Sequence, residues 1–129
     1  MGKGRAPFSL PTVGGSPEHT LLDNLSDLTK RFPLERSGYF GRPGDNSHVR
    51  TIASKSPLRT AGIFFRLATR WALERHPIQT GFVATLKDGT QITVRRTSSS
   101  DKSPAIDINI VKPHEGRIKR QKIHFIQED

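Results

Sequence analysis

Three features of the chain predict an α+β fold in which two N-terminal helices pack on one face of a four-stranded antiparallel sheet. Two stretches carry apolar residues at helical spacing, and both precede His76-Pro77. Beyond that dipeptide the pattern changes to short apolar–polar alternations broken by turn sequences. The length, 129 residues, suits one hydrophobic core and is short for two.

Residues 1–15 (MGKGRAPFSLPTVGG) mix Gly, Pro and isolated cations without a period. They read as a flexible leader or linker, leaving 16–129 as a single domain. Ser16-Pro17-Glu18 offers a capping hydroxyl, a proline suited to the first helical position and an acid for the first turn. Leu21, Leu22, Leu25, Leu28 and Phe32 follow at helical spacing until Pro33, giving a helix over about 17–31. The next stretch, Ser37 to Asn46 with Gly38, Gly41, Pro43 and Gly44, is turn chemistry around one aromatic pair. Tyr39 and Phe40 are expected to plug the edge of the core, with base stacking as the alternative role. Residues 48–53 have the Val, Thr and Ile content of a short strand, whose alternation groups His48, Arg50 and Ile52. Ser56-Pro57 then opens the stronger helix, over about 57–74, with an apolar stripe that includes Phe64, Phe65, Leu67, Ala68 and Trp71. That stripe should cover the sheet, and Trp71 should be core.

Strands at 81–86 and 91–97 flank Lys87-Asp88-Gly89-Thr90, in which Asp-Gly signals a hairpin. Burying Ile92 and Val94 exposes Thr93, Arg95 and Thr97. A polar loop at 98–104 leads to a strand in which Ile106, Ile108 and Ile110 share one face and Asp107 and Asn109 the other. After the Pro113-His114-Glu115-Gly116 turn, the last strand, 117–127, turns Ile123 and Phe125 inward and Lys122, His124 and Ile126 outward. If these strands are neighbours on a common core, Arg95, Asp107, Lys122 and His124 gather on one polar surface.

Twenty-one Lys and Arg against 12 Asp and Glu give a formal charge of +9, a balance that attracts polyanions, nucleic acid above all. No stretch has the cationic amphipathic pattern of a membrane-surface helix, and no apolar run reaches the length of a span. The absence of Cys excludes disulfides, thiolate zinc sites and the zinc-deaminase signature. No acidic or His cluster has convincing metal spacing, so neither a metal nor another cofactor is expected.

Several short motifs occur in a familiar order. They are Ser37-Gly38-Tyr39-Phe40-Gly41, the Arg50 strand running into the Ser56-Pro57 helix, and Asp88-Gly89-Thr90 followed by Ile92-Thr93-Val94-Arg95. Ser103-Pro104-Ala105-Ile106-Asp107-Ile108-Asn109-Ile110 and Lys122-Ile123-His124-Phe125 complete the set. Over about residues 37–127 the chain resembles bacterial polymorphic toxin C-terminal domains, found at the ends of contact-dependent inhibition and related effectors. Those domains are assigned to the barnase, EndoU, colicin and RelE-like superfamily of ribonucleases. The resemblance implies a two-helix, four-stranded monomer that cuts RNA, tRNA in particular, without a metal or stable membrane association. It further implies delivery as the end of a larger effector, action in the target-cell cytoplasm, and neutralisation by a cognate immunity protein, expected to be acidic. Arg95, Asp107 and His124 fall within the matching motifs.

Metal-free RNA cleavage uses the 2′-OH as nucleophile and needs one group to accept its proton, another to protonate the departing 5′ oxygen, and fixed cations for the phosphorane. His124 is the natural acid or base. Arg95 would clamp a phosphate oxygen, Lys122 would add a point charge and Ser99 would contact phosphate. Asp107 is expected to orient His124 and Arg95 rather than act as the base, since neighbouring cations lower a carboxylate's pKa. Arg96, Arg117, Lys119 and Arg120, with His48 and Arg50, supply an RNA-binding surface. The competing expectation is a noncatalytic RNA-binding or ribosome-associated module using the same basic face. A metal-dependent DNase is a third class.

Overall fold

The computed structural model describes residues 18–111 and 118–129. The leader, the Ser16-Pro17 start, the Pro113-His114-Glu115-Gly116 turn and Arg117 lie outside the described residues. Helix α1 (Leu21–Arg31) is capped by Thr20. The Thr20 hydroxyl accepts from the Asp23 amide (3.2 Å), and the Asp23 carboxylate accepts from the Thr20 amide (2.8 Å). That reciprocal box satisfies two helix-start donors and sets the first turn at Leu21, later than proline placement suggested. There follow β1 (Arg42–Pro43), β2 (Val49–Ser54), α2 (Pro57–Ala68), β3 (Glu74–Ile78), β4 (Gly81–Thr85), β5 (Gln91–Arg95), β6 (Ala105–Asn109) and β7 (Gln121–Gln127).

The sheet is not the expected four-stranded antiparallel one. It has seven strands in the order β1-β2-β7-β6-β5-β4-β3 and is mixed, because β2 runs parallel to β7. The short strand at 48–53 belongs to the sheet: it pairs with β7 from Val49↔Lys122 to Ser54↔Gln127, which makes β7 an interior strand. At the other end, β3 arises in a stretch without apolar–polar alternation, Glu-Arg-His-Pro-Ile. An edge position tolerates both the polar residues and Pro77, since half of an edge strand's backbone groups face no ladder.

Helix α2 ends six residues earlier than its apolar stripe suggests. Its Thr69 hydroxyl donates back to the Phe65 carbonyl (2.7 Å), and Trp71 takes a left-handed φ of 58° that turns the chain toward β3. Helical projection therefore stops applying before Trp71, which is 58% exposed instead of core. Buried Asn24 of α1 closes this end by donating to the Ala68 and Arg70 carbonyls at 2.9 and 3.0 Å.

Helix α2 lies against β2, β5, β6 and β7, and α1 packs on α2. Phe64 centres the core, its ring 5.0 Å from those of Phe32 and Phe40 and 5.9 Å from that of Phe125. Ile92, Ile106, Ile108, Ile123 and Phe125 supply the buried sheet face, each contributing roughly 1.5–3 kcal/mol on burial. No helix among the described residues is long and apolar enough to cross a membrane.

One buried amide joins the core to the 38–40 segment. Gln121 Nε2 donates to the Gly38 and Lys119 carbonyls (3.0 and 2.7 Å), and its Oε1 accepts from the Phe40 amide (2.8 Å). Gln121→Leu would leave the buried Phe40 amide unpaired and take a donor from the Lys119 carbonyl, while the Gly38 carbonyl keeps its bond from the Lys119 amide (3.0 Å); a buried unpaired group costs about 1–3 kcal/mol. Urea denaturation should register a loss of about 1–3 kcal/mol. A change below about 0.5 kcal/mol would mean that these bonds do not hold the segment.

Candidate active site on the uncovered face of the sheet

The face of the sheet opposite α2 is ordered by strand register. Gln91 stands beside Asn109, then Thr93 beside Asp107 and Lys122, then Arg95 beside Ala105 and His124. Arg95, Asp107, Lys122 and His124 thus share one face. Ala105 separates the backbones of Arg95 and His124, which by strand spacing lie about 10 Å apart.

Arg95 Nε is 3.8 Å from Asp107 Oδ2, an ion pair too long for a hydrogen bond, with both side chains partly exposed. The guanidinium edge is thereby oriented while its donors remain available to a phosphate. Arg95, Asp107 and Lys122 form a divide between two depressions. On one side lies a groove of about 980 Å³ whose lining includes Tyr39, His48, Lys119 and Arg120. On the other is a smaller polar depression of about 420 Å³ containing Ser99 beside Ser98, Thr97 and Thr80. Lys122, Lys119 and Arg120 therefore face the groove together, and Ser99 lies across the divide from them.

His124 is only 6% exposed and lines neither depression. Its Nδ1 lies 3.0 Å from Ser103 Oγ and 3.2 Å from Asp101 Oδ1. Ser103 already donates its hydroxyl proton to Asp101 (2.6 Å), and the same carboxylate oxygen accepts from the Ser98 hydroxyl (2.7 Å) and the Ser103 amide (3.0 Å). The Ser103 hydroxyl bond, chiefly, holds the Asp101 carboxyl far below the usual carboxylate range; desolvation opposes this, while the Ser103 amide, Ser98 and His124 reinforce it. Both neighbours of Nδ1 are consequently acceptors, which places a ring hydrogen on Nδ1 and, in the neutral ring, the lone pair on Nε2. Nε2 has no partner among the described residues, and Thr90 Oγ1 is the one buried side-chain polar atom there without a bond. The small exposed area of His124 accordingly includes Nε2.

The carboxylate beside His124 is that of Asp101, whereas Asp107 faces Lys122 in the strand register and meets Arg95, the other of its two expected partners. Arg50 is not a surface contact. It lies on the helix side with Ile123, is buried, and donates to the carbonyls of Phe40 (2.8 Å), Ser47 (3.0 Å) and Gly41 (2.9 Å) and to Glu35 (3.0 Å). A guanidinium so saturated binds chain, not RNA. Arg96 follows β5 with the alternation of Ile92 and Val94 and leaves the face that carries Arg95. Arg117 lies outside the described residues.

Asp101 and Ser103 were missed in the sequence because a Ser-rich loop offers many equivalent hydroxyls and carboxylates. The available signal was Asp101 two residues before Ser103, the spacing of an Asx turn, at the entrance to a strand paired with β7. No family model matches the chain, and no curated protein or solved structure matches it either.

A depressed Asp101 pKa contributes stability that is complete above the ordinary Asp value near 4 and is lost as pH falls through the lower folded value. Asp101→Asn should destabilise the protein at pH 7 and reduce the loss of stability on acidification below about pH 4. Parallel stability–pH curves for variant and parent would show that the carboxylate carries no such linkage.

Proposed function

We propose that the chain is an endoribonuclease that cleaves RNA, tRNA in particular, by metal-independent transesterification. The observation that carries this reading is the Asp101–His124 pair, an imidazole fixed in one tautomer on the same sheet face as Arg95 and Lys122. In the proposed reaction Nε2 of His124 takes the 2′-OH proton as the 2′ oxygen bonds to phosphorus, and Asp101 stabilises the imidazolium. Arg95 and Lys122 hold the phosphorane oxygens, where charge develops. The bond to the 5′ oxygen then breaks, and that oxygen takes a proton from the Lys122 ammonium, leaving a 2′,3′-cyclic phosphate and a 5′-hydroxyl. Water returns a proton to the lysine, and the imidazolium releases its own to solvent.

The toxin resemblance extends the proposal to delivery at the end of a larger effector, action in a target-cell cytoplasm and neutralisation by an acidic immunity protein. It rests on ordered motifs alone, since the seven-stranded mixed sheet departs from the architecture the resemblance implied.

A second reading, a noncatalytic RNA-binding module, has one observation in its favour: the basic groove is open, whereas His124 is nearly buried and outside it. Incubation with total RNA in EDTA separates the two. Cleavage to cyclic-phosphate ends, lost in folded His124→Ala and reduced about 10²- to 10³-fold in Arg95→Ala, is the expected result. Intact RNA with a salt-sensitive shift would favour binding alone, and cleavage retained by folded His124→Ala would remove His124 from the mechanism. In either case Arg120→Glu should weaken binding and lower the slope of log K against log salt by about 0.7–0.9 per lost phosphate contact. An unchanged slope would exclude Arg120 from the contact surface.

A further inference from the structure

We infer that the end of the groove beyond Asp107 is a nucleobase-recognition subsite, built from Gln91, Asn109 and Tyr39, which makes an unpaired base the determinant of where the polynucleotide seats. The inference rests on the RNA reading above and adds to it what part of the RNA is read.

Its basis is the order of side chains along the uncovered face. Gln91 and Asn109 are register partners one pleat repeat from Thr93 and Asp107, a separation of about 7 Å along the strands. That is the scale on which a base stands off from the phosphate of its own nucleotide. A phosphate between Arg95 and Lys122 would therefore put the attached base over the two carboxamides. Each carboxamide presents a donor and an acceptor side by side, the arrangement that matches a base edge. Gln91 has only a long 3.4 Å contact to Thr85, and Asn109 has no side-chain partner among the described residues, so both amides are open to a ligand.

Tyr39 supplies the stacking surface. Its half-buried ring lines the same groove, and the segment that carries it is pinned by Gln121 through Gly38 and Phe40. The Arg50 guanidinium lies 4.8 Å from the ring centroid and is itself immobilised by four hydrogen bonds. Lys119, 5.5 Å away, is an exposed side chain free to swing toward a phosphate. A ring held by a buried cation beneath it is a rigid platform, and bases stack on such platforms without regard to sequence. Stacking would then supply affinity and the amides would supply choice. A paired base presents its edge to its complement, so the subsite selects loops, bulges and ends.

The test uses the full chain and short RNA oligonucleotides that differ at one unpaired position: A, C, G, U or an abasic residue. Both Kd and cleavage rate are measured. The parent protein should prefer one base and bind the abasic oligonucleotide about 5- to 150-fold more weakly, the range for one stacked base. Gln91→Ala combined with Asn109→Ala should flatten the preference among the four bases while leaving abasic binding within about twofold. Tyr39→Leu should weaken all four bases and leave the abasic oligonucleotide least affected; Tyr39→Phe, which keeps the ring and its contact with Arg50, should behave like the parent. A base preference unchanged by the double amide substitution, or equal binding of abasic and intact oligonucleotides, overturns the subsite. Base-dependent binding without any cleavage supports the subsite while refuting the ribonuclease reading. Failure to bind any of the oligonucleotides refutes both.

Discussion

Strand β7 is hydrogen-bonded along both edges, antiparallel to β6 and parallel to β2, and its strict alternation divides the molecule into a core side and a working side. Ile123 and Phe125 lock the register because both are fully buried under α2. A slip by one residue would place Lys122 and His124 in the aromatic cluster around Phe64, which burial of unpaired polar groups forbids. The position of every candidate site residue on β7 is therefore a consequence of packing on the opposite face. The same lock extends to β5 and β6 through Ile92, Ile106 and Ile108, so Arg95 and Asp107 are fixed by isoleucines whose side chains lie on the opposite face of the sheet.

The strong positive charge of the chain does not translate evenly into a binding surface. Arg50 is buried among the carbonyls of Phe40, Gly41 and Ser47, where a guanidinium with five fixed donors satisfies a tight turn that no apolar residue could. Burying that charge is tolerable because each donor direction used finds an acceptor and Glu35 supplies a countercharge. Arg70 is paired with Asp27 on the helical layer, away from the groove. What remains at the groove is Arg95, Lys119, Arg120 and Lys122 around Asp107, a smaller and more local field than the formal charge suggests.

Much of this was legible in the sequence, for a definite reason. Period-2 alternation in β5, β6 and β7 is unambiguous because the apolar positions are isoleucine, valine and phenylalanine, so the shared face of Arg95, Asp107, Lys122 and His124 could be read from parity alone. The same parity, applied to His48, Arg50 and Ile52, already implied that Arg50 follows Ile52 to the core side; the positive charge obscured it. Pairing partners were less accessible. Nothing in 48–53 announces that its neighbour lies some seventy residues later, and a polar edge strand such as β3 has no pattern to read. Trp71 was misplaced because helical periodicity says which face a residue occupies but not where the helix stops, and that end is fixed by the Thr69 and Asn24 bonds.

The site combines a nearly buried histidine with an open basic groove, and the two are compatible because they do different work. Desolvation strengthens the bond from Nδ1 to Asp101 and keeps the tautomer fixed, which an imidazole free in the groove would lose to water. On the proposed reading the groove needs the opposite property: its cations must be accessible to a polyanion and its amides unsatisfied until a ligand arrives. Ala105 is the hinge of this compromise. Standing between Arg95 and His124, it is fully buried, so this part of the sheet face is closed over and only the small exposed part of the His124 ring meets solvent. A larger residue there would find no free space and would have to push aside what packs on Ala105, changing the spacing of Arg95 and His124 on which the proposed chemistry depends.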